Sequence, residues 1–124
     1  MATSTPLLAF LLLLVTTAFA IQPVAVRLRG NFGTAPATVV VIARVEPRPE
    51  NRDIEACVVG DYTACSARAH VGVDAPIQVV FEPFRGLPQG EYDAVVTVRR
   101  QSVDGRWTTA VDKQHFIILE AFGG

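Results

Sequence analysis

From Val24 onward, apolar and polar residues alternate in short runs, and no stretch shows the three-to-four spacing of an amphipathic helix. Val24, Val26 and Leu28 alternate with Ala25, Arg27 and Arg29, and Gly30-Asn31-Phe32-Gly33 breaks the run. A longer run, 37–46, puts Val39, Val41, Ala43 and Val45 on one face. Pro47 and Pro49 then force a turn or extended link, because proline cannot donate to a sheet ladder. Further strands are predicted over 53–59, 65–71, 77–81, 90–103 and 106–119. The strand over 65–71 is thin in large side chains and is placed near a sheet edge, and Ile77, Val79 and Phe81 are expected to point inward together. Asp104-Gly105 is read as a two-residue hairpin turn, since glycine tolerates the positive φ such turns need. The pattern predicts an all-β fold, a seven-stranded Greek-key β-sandwich. A five-stranded barrel is the structural alternative.

The first 20 residues differ from the rest. They carry no charge, and Leu7–Val15 is an unbroken apolar run followed by Ala18-Phe19-Ala20. That combination reads as a signal peptide over 1–20, cut after Ala20. The core is shorter than the roughly 20 apolar residues a spanning helix needs. No Lys or Arg precedes it, so an uncleaved N-terminal anchor is the alternative. The expected location is secreted or periplasmic, with the domain over 21–119 and a flexible tail over 120–124.

One motif sharpens the fold. Leu87-Pro88-Gln89-Gly90-Glu91-Tyr92 stands just before the most regular strand. A chain leaving one sheet for another has unpaired backbone at the corner. A tyrosine there can bury its ring while its hydroxyl satisfies one of those groups. Leu87, Gly90 and Tyr92 together resemble the tyrosine corner of immunoglobulin-like and fibronectin type III-like sandwiches. The stretch 84–98 is also similar to bacterial exported immunoglobulin-like and carboxypeptidase-regulatory-like modules. The resemblance implies an immunoglobulin-like domain serving adhesion, assembly or spacing, and in a few cases carbohydrate binding. An ordinary core tyrosine is the plainer reading of Tyr92. The inter-sheet disulfide of antibody domains is missing, because Cys57 and Cys65 lie too close in sequence to belong to those strands.

Those two cysteines flank a predicted hairpin, and paired positions on antiparallel strands suit disulfide geometry. In an exported chain a structural disulfide is the expected state. Free thiols are the alternative; a zinc site would need four ligands, and only His70 and His115 could join the pair.

Composition excludes several classes. The chain has 11 Lys+Arg against 12 Asp+Glu, a formal net charge of −1, which offers no electrostatic reason for a nucleic-acid partner. Its length allows one domain beside the signal. No catalytic motif, phosphate-binding loop or calcium loop is present, so no enzyme activity, cofactor or metal is expected. Arg99, Arg100, Arg106 and Trp107 gather around the predicted hairpin tip and form a possible interaction surface. The plainer reading is a solvated strand end with Trp107 capping the core. The chain is thus expected to be a small exported binding or structural module. Its partner would be a protein or cell-envelope component, with no nucleic acid, no membrane span after cleavage, and a monomeric or weakly self-associating state. A carbohydrate-binding module is the alternative, and a small secreted enzyme a more distant one.

N-terminal sequencing of exported protein should begin Ile21-Gln22-Pro23. Recovery of only the intact chain, in membranes, would establish the anchor instead.

Overall fold

A computed structural model describes residues 22–121. The proposed signal, its cleavage site and the end of the tail lie outside the described residues. No described helix is long and apolar enough to cross a membrane.

The described chain forms eight strands. They are β1 (Val24–Arg29), β2 (Ala37–Val45), β3 (Asn51–Val59), β4 (Thr63–Ala69), β5 (Gln78–Val80), β6 (Phe84–Leu87), β7 (Gly90–Gln101) and β8 (Trp107–Ile118). One sheet has the order β1-β2-β5, with β6 also pairing β2; the other runs β4-β3-β7-β8. All pairings between named strands are antiparallel. The fold is therefore all-β and sandwich-like, with the β4 strand at a sheet edge.

The alternation follows the strand period, in which every second side chain faces the same way. Val39, Val41, Ala43 and Val45 of β2 meet Ile54, Ala56 and Val58 of β3 and Ala94, Val96 and Val98 of β7 in one buried cluster. Small and β-branched side chains dominate it. At one end Tyr92 stacks on Phe116 with centroids 5.4 Å apart and Phe32 meets Phe116 edge-on at 5.7 Å, while the fully buried Phe81 lies away from them, under Arg68.

Four features depart from the pattern. β6 has the burial sequence in, out, out, in, which carries no strand period. It exists because Phe84 and Leu87 pair with Val39 and Ala37 of β2, continuing the line of β5 past a break at Glu82-Pro83. Ile77 does not point into the core with Val79 and Phe81 but is 54% exposed. Its carbonyl accepts from Val45 N (2.7 Å) at the very end of β2, beyond the last core layer. The β7–β8 turn is not a two-residue loop. Gly105 N donates to Ser102 O and Ser102 N to Arg106 O, both 2.9 Å. The loop is therefore Val103-Asp104-Gly105, with Gly105 at φ +87° taking the left-handed position that closes a three-residue hairpin. Last, Trp107 does not cap the core; it is half exposed.

The chain crosses between sheets at three places, and each crossing holds a buried polar side chain. Between β2 and β3, the fully buried Asn51 donates from Nδ2 to Glu46 O (3.0 Å) and accepts from Arg100 Nε (3.1 Å). Between β4 and β5, His70, 2% exposed, bonds Pro76 O through Nε2 at 2.7 Å. A carbonyl only accepts, so Nε2 carries the hydrogen. Between β6 and β7, the Tyr92 hydroxyl donates to Pro88 O at 2.8 Å. Burial raises the Tyr92 phenol above its usual value, with smaller contributions from Tyr62 and Asp61. Gly90 sits at φ +149°, and the Tyr92 ring lies against Gly60, where a Cβ would fall 2.5 Å from ring carbon Cδ1. The turn before β7 and the site that receives the ring thus both need glycine.

Removing only the hydroxyl, Tyr92→Phe, takes this partner from the carbonyl of the exposed Pro88 and should cost about 0.5–1.5 kcal/mol of stability. Thermal melts of the two proteins check this. An unchanged melting temperature would mean that the hydroxyl contributes nothing at this corner.

Candidate functional site

The β4-β3-β7-β8 sheet has one face in the core and one in solvent, and the pleat decides which residues share the outer face. The registers align Asp53 with Ala69 and Arg99, Glu55 with Ala67 and Thr97, and Cys57 with Cys65 and Val95. They also align Arg99 with Thr109, Thr97 with Val111, Val95 with Lys113 and Asp93 with His115. These rows make up the outer surface.

Its most ordered feature spans three strands. Arg99 on β7 donates to both carboxylate oxygens of Asp53 on β3, Nε at 2.8 and 3.0 Å and Nη2 at 2.5 Å. The same guanidinium lies over the Trp107 ring of β8, 5.0 Å from its centroid. A planar guanidinium suits both contacts at once, with its edge on a carboxylate and its face on an aromatic ring. The hydrogen bonds from Arg99, and its charge, hold the Asp53 carboxyl below its ordinary value of 3.8 despite some opposing burial. Beside this group lies an open depression of about 510 Å³ lined by Asp53, Glu55, Ala67, Arg68, Thr97 and Arg99.

Arg100 is not part of this surface. Adjacent residues on a strand face opposite ways, and Arg100 turns to the β2–β3 corner, where it bonds Asn51. Burial lowers its pKa from the usual guanidinium value, as does the nearby Arg48. Arg106 stays at the hairpin tip and meets Asp104 at 3.4 Å. Ser102 also donates to Asp104, and together with Arg106 N it lowers that carboxyl. The four residues at the predicted hairpin tip therefore separate into the Arg99–Trp107 pair, the Arg100 corner contact and the Arg106–Asp104 pair.

Cys57 and Cys65 stand directly opposite each other and form a disulfide, with Cα atoms 4.1 Å apart. His70 N donates to Arg52 O and Gly60 N to Tyr62 O, which turns the even-numbered backbone of β3 toward β4. Cys57–Cys65 is thus a non-hydrogen-bonded pair, the closer of the two antiparallel kinds. Glu55 Oε1 lies 3.5 Å from Cys57 Sγ. A disulfide sulfur carries no hydrogen, so this contact is not a hydrogen bond. Glu55, Cys57 and Cys65 come close enough to suggest a metal site. Both sulfurs are bonded to each other, however, and neither is available as a thiolate donor.

The histidines do different things. His70 is sealed at its corner. His115 is exposed on the outer face, with Nδ1 3.0 Å from Asp93 Oδ1. Sequence reasoning missed Asp53 as the partner of Arg99. The alternation of β3 and β7 puts both on outer faces, but only their register makes them neighbours. Leu87 is buried in the core cluster, where it pairs with Ala37.

Compared with family models, with curated proteins and with solved structures, the chain matches none of them.

Because the folded-state pKa of Asp53 is depressed, its contribution to stability is complete above the unfolded value near 3.8 and is lost as pH falls through the lower folded value. Asp53→Asn should therefore melt below the wild type at neutral pH, and the gap should close as pH falls below about 4. A gap that persists in strong acid would show that Asn disturbs packing rather than charge pairing.

Proposed function

We propose that the protein is a small exported immunoglobulin-like module that works by binding, as a structural or assembly component, and not by catalysis. Two features support the immunoglobulin-like part, and a third supports export. β5 and β6 both pair with β2 and can be counted as one strand interrupted at Glu82-Pro83. That count gives seven strands, β1, β2 and the joined strand against β4, β3, β7 and β8. The Tyr92 hydroxyl reaches back four residues to Pro88, the contact such a corner would make. The disulfide is compatible with an extracytoplasmic location.

The observation that carries the binding part is the Asp53–Arg99–Trp107 group. It holds a half-exposed tryptophan and an arginine in fixed positions on an open sheet face, beside a polar depression. Aromatic and arginine side chains that are already immobilised lose little entropy on docking and commonly anchor protein interfaces. A carbohydrate platform is less well supported. Phe81, Phe84, Tyr92 and Phe116 are buried, and Arg99 already lies over Trp107.

A photo-crosslinking residue at Thr97, inside the depression, should trap a discrete cell-envelope component in producing cells. The same residue at Val103, on the exposed hairpin tip, should not. No adduct at Thr97, or equal labelling from both positions, would refute this surface. Retardation of the protein in polysaccharide gels would support the carbohydrate reading.

A further inference from the structure

We infer that the free edge of β8 is an interface between two copies of this chain, paired antiparallel about Gln114. The inference is independent of the binding role proposed above and concerns a different part of the surface.

Backbone direction along β8 is fixed by its ends. Arg106 O accepts from Ser102 N within the hairpin, whereas Leu119 N donates to Gly33 O (3.0 Å) and Leu119 O accepts from Ala35 N (2.8 Å) on the opposite side. The register with β7 runs unbroken from Gly90↔Ile118 to Gln101↔Trp107. Even-numbered residues of β8 therefore bond β7, and odd-numbered residues turn their N–H and C=O outward. Among the described residues, none of these outward groups from Thr109 to Ile117 has a backbone partner. The side chains above them include Val111 and Ile117, each 49% exposed.

The other edges carry devices that discourage pairing. On β4, Arg68 belongs to the inward-facing row with Ile54 and lies over the Phe81 ring at 5.1 Å. On β1, the Val26 N–H is capped by Asp112 Oδ2 at 2.8 Å, and Arg27 and Arg29 are exposed. β5 is three residues long and leads to Pro83. β8 has twelve residues, with no proline and no register shift. It carries two charges of this kind, Lys113 on the outer face and Asp112 in the inward row opposite Val96, but the Asp112 carboxylate is turned to Val26 N of β1.

A second copy suits this edge because the strand is self-complementary in one register. A two-fold axis at Gln114 sets Val111 against Ile117 of the other copy and Lys113 against His115. The Gln114 side chains then face each other across the axis as a close, non-hydrogen-bonded pair. Both amides can donate and accept there. Pairing stops before Leu119, whose outward groups already bond Gly33 and Ala35. Shifting the axis to Asp112 would instead oppose two carboxylates, a directly destabilising pair. Gln114 is exposed and sits opposite Ala94 within its own sheet, so a charge there does not enter the core.

The test is sedimentation of the chain as recovered from its producing cells, over about 1 to 500 μM. Wild type should shift from monomer to dimer mass. Gln114→Lys alone and Gln114→Glu alone should each weaken the dimer by roughly tenfold or more, because like charges then meet on the axis. Mixed in equal amounts, the two variants should recover a heterodimer, which also shows that each is folded. A wild type that stays monomeric throughout overturns the inference and leaves this edge to an extended segment of another protein. A dimer indifferent to charge at 114, or variants that do not recover on mixing, overturns it as well.

Discussion

A chain that moves between two packed sheets has to leave one hydrogen-bonded ladder before it joins the next. The carbonyls it frees on the way need new partners, from side chains or from water. Here that constraint is met in the same way at each crossing, by one buried polar side chain bonding a nearby carbonyl. Asn51 serves Glu46, His70 serves Pro76 and Tyr92 serves Pro88. Asn51 and His70 are the polar side chains buried among the described residues, so the interior holds little polarity beyond these corners. The valine-rich layers between them need only the correct alternation and size. The corners need particular atoms in particular places.

The outer face of the β4-β3-β7-β8 sheet obeys a different economy. Its side chains remain in water, where a single ion pair contributes little. What distinguishes Asp53, Arg99 and Trp107 is that one guanidinium organises three strands at once. The Cys57–Cys65 bond ties a fourth strand to the same surface a short way along. The result is a sheet face with side-chain links that reach all four strands, although most of its side chains are exposed.

How much of this is legible in the sequence depends on the range of the interaction. Alternation marks β1, β2, β3 and β7 because each strand writes its own pattern. The cysteines are legible as a pair because a short hairpin brings them together. β6 is not legible: its four residues have no period and are strands only because β2 lies beside them. Asn51 and His70 look like loop and edge residues, since their partners come from the folding of the corner and not from local spacing. The division of Arg99 from Arg100 was present in the sequence all along, because neighbours on a strand cannot share a face. The partner of Arg99 was not, because the β3–β7 register is set by the whole core.

The bond from Val26 N to Asp112 and the bridge between Thr34 and Leu119 have a mechanical meaning. They show that β1 and β8 run in the same direction along one side of the sandwich. The chain therefore enters the fold at the Val24 end and leaves it at the opposite pole. Tension applied through the two ends would act along these strands. It would have to shear the β1–β2 and β7–β8 ladders with many bonds loaded together, instead of opening them one bond at a time.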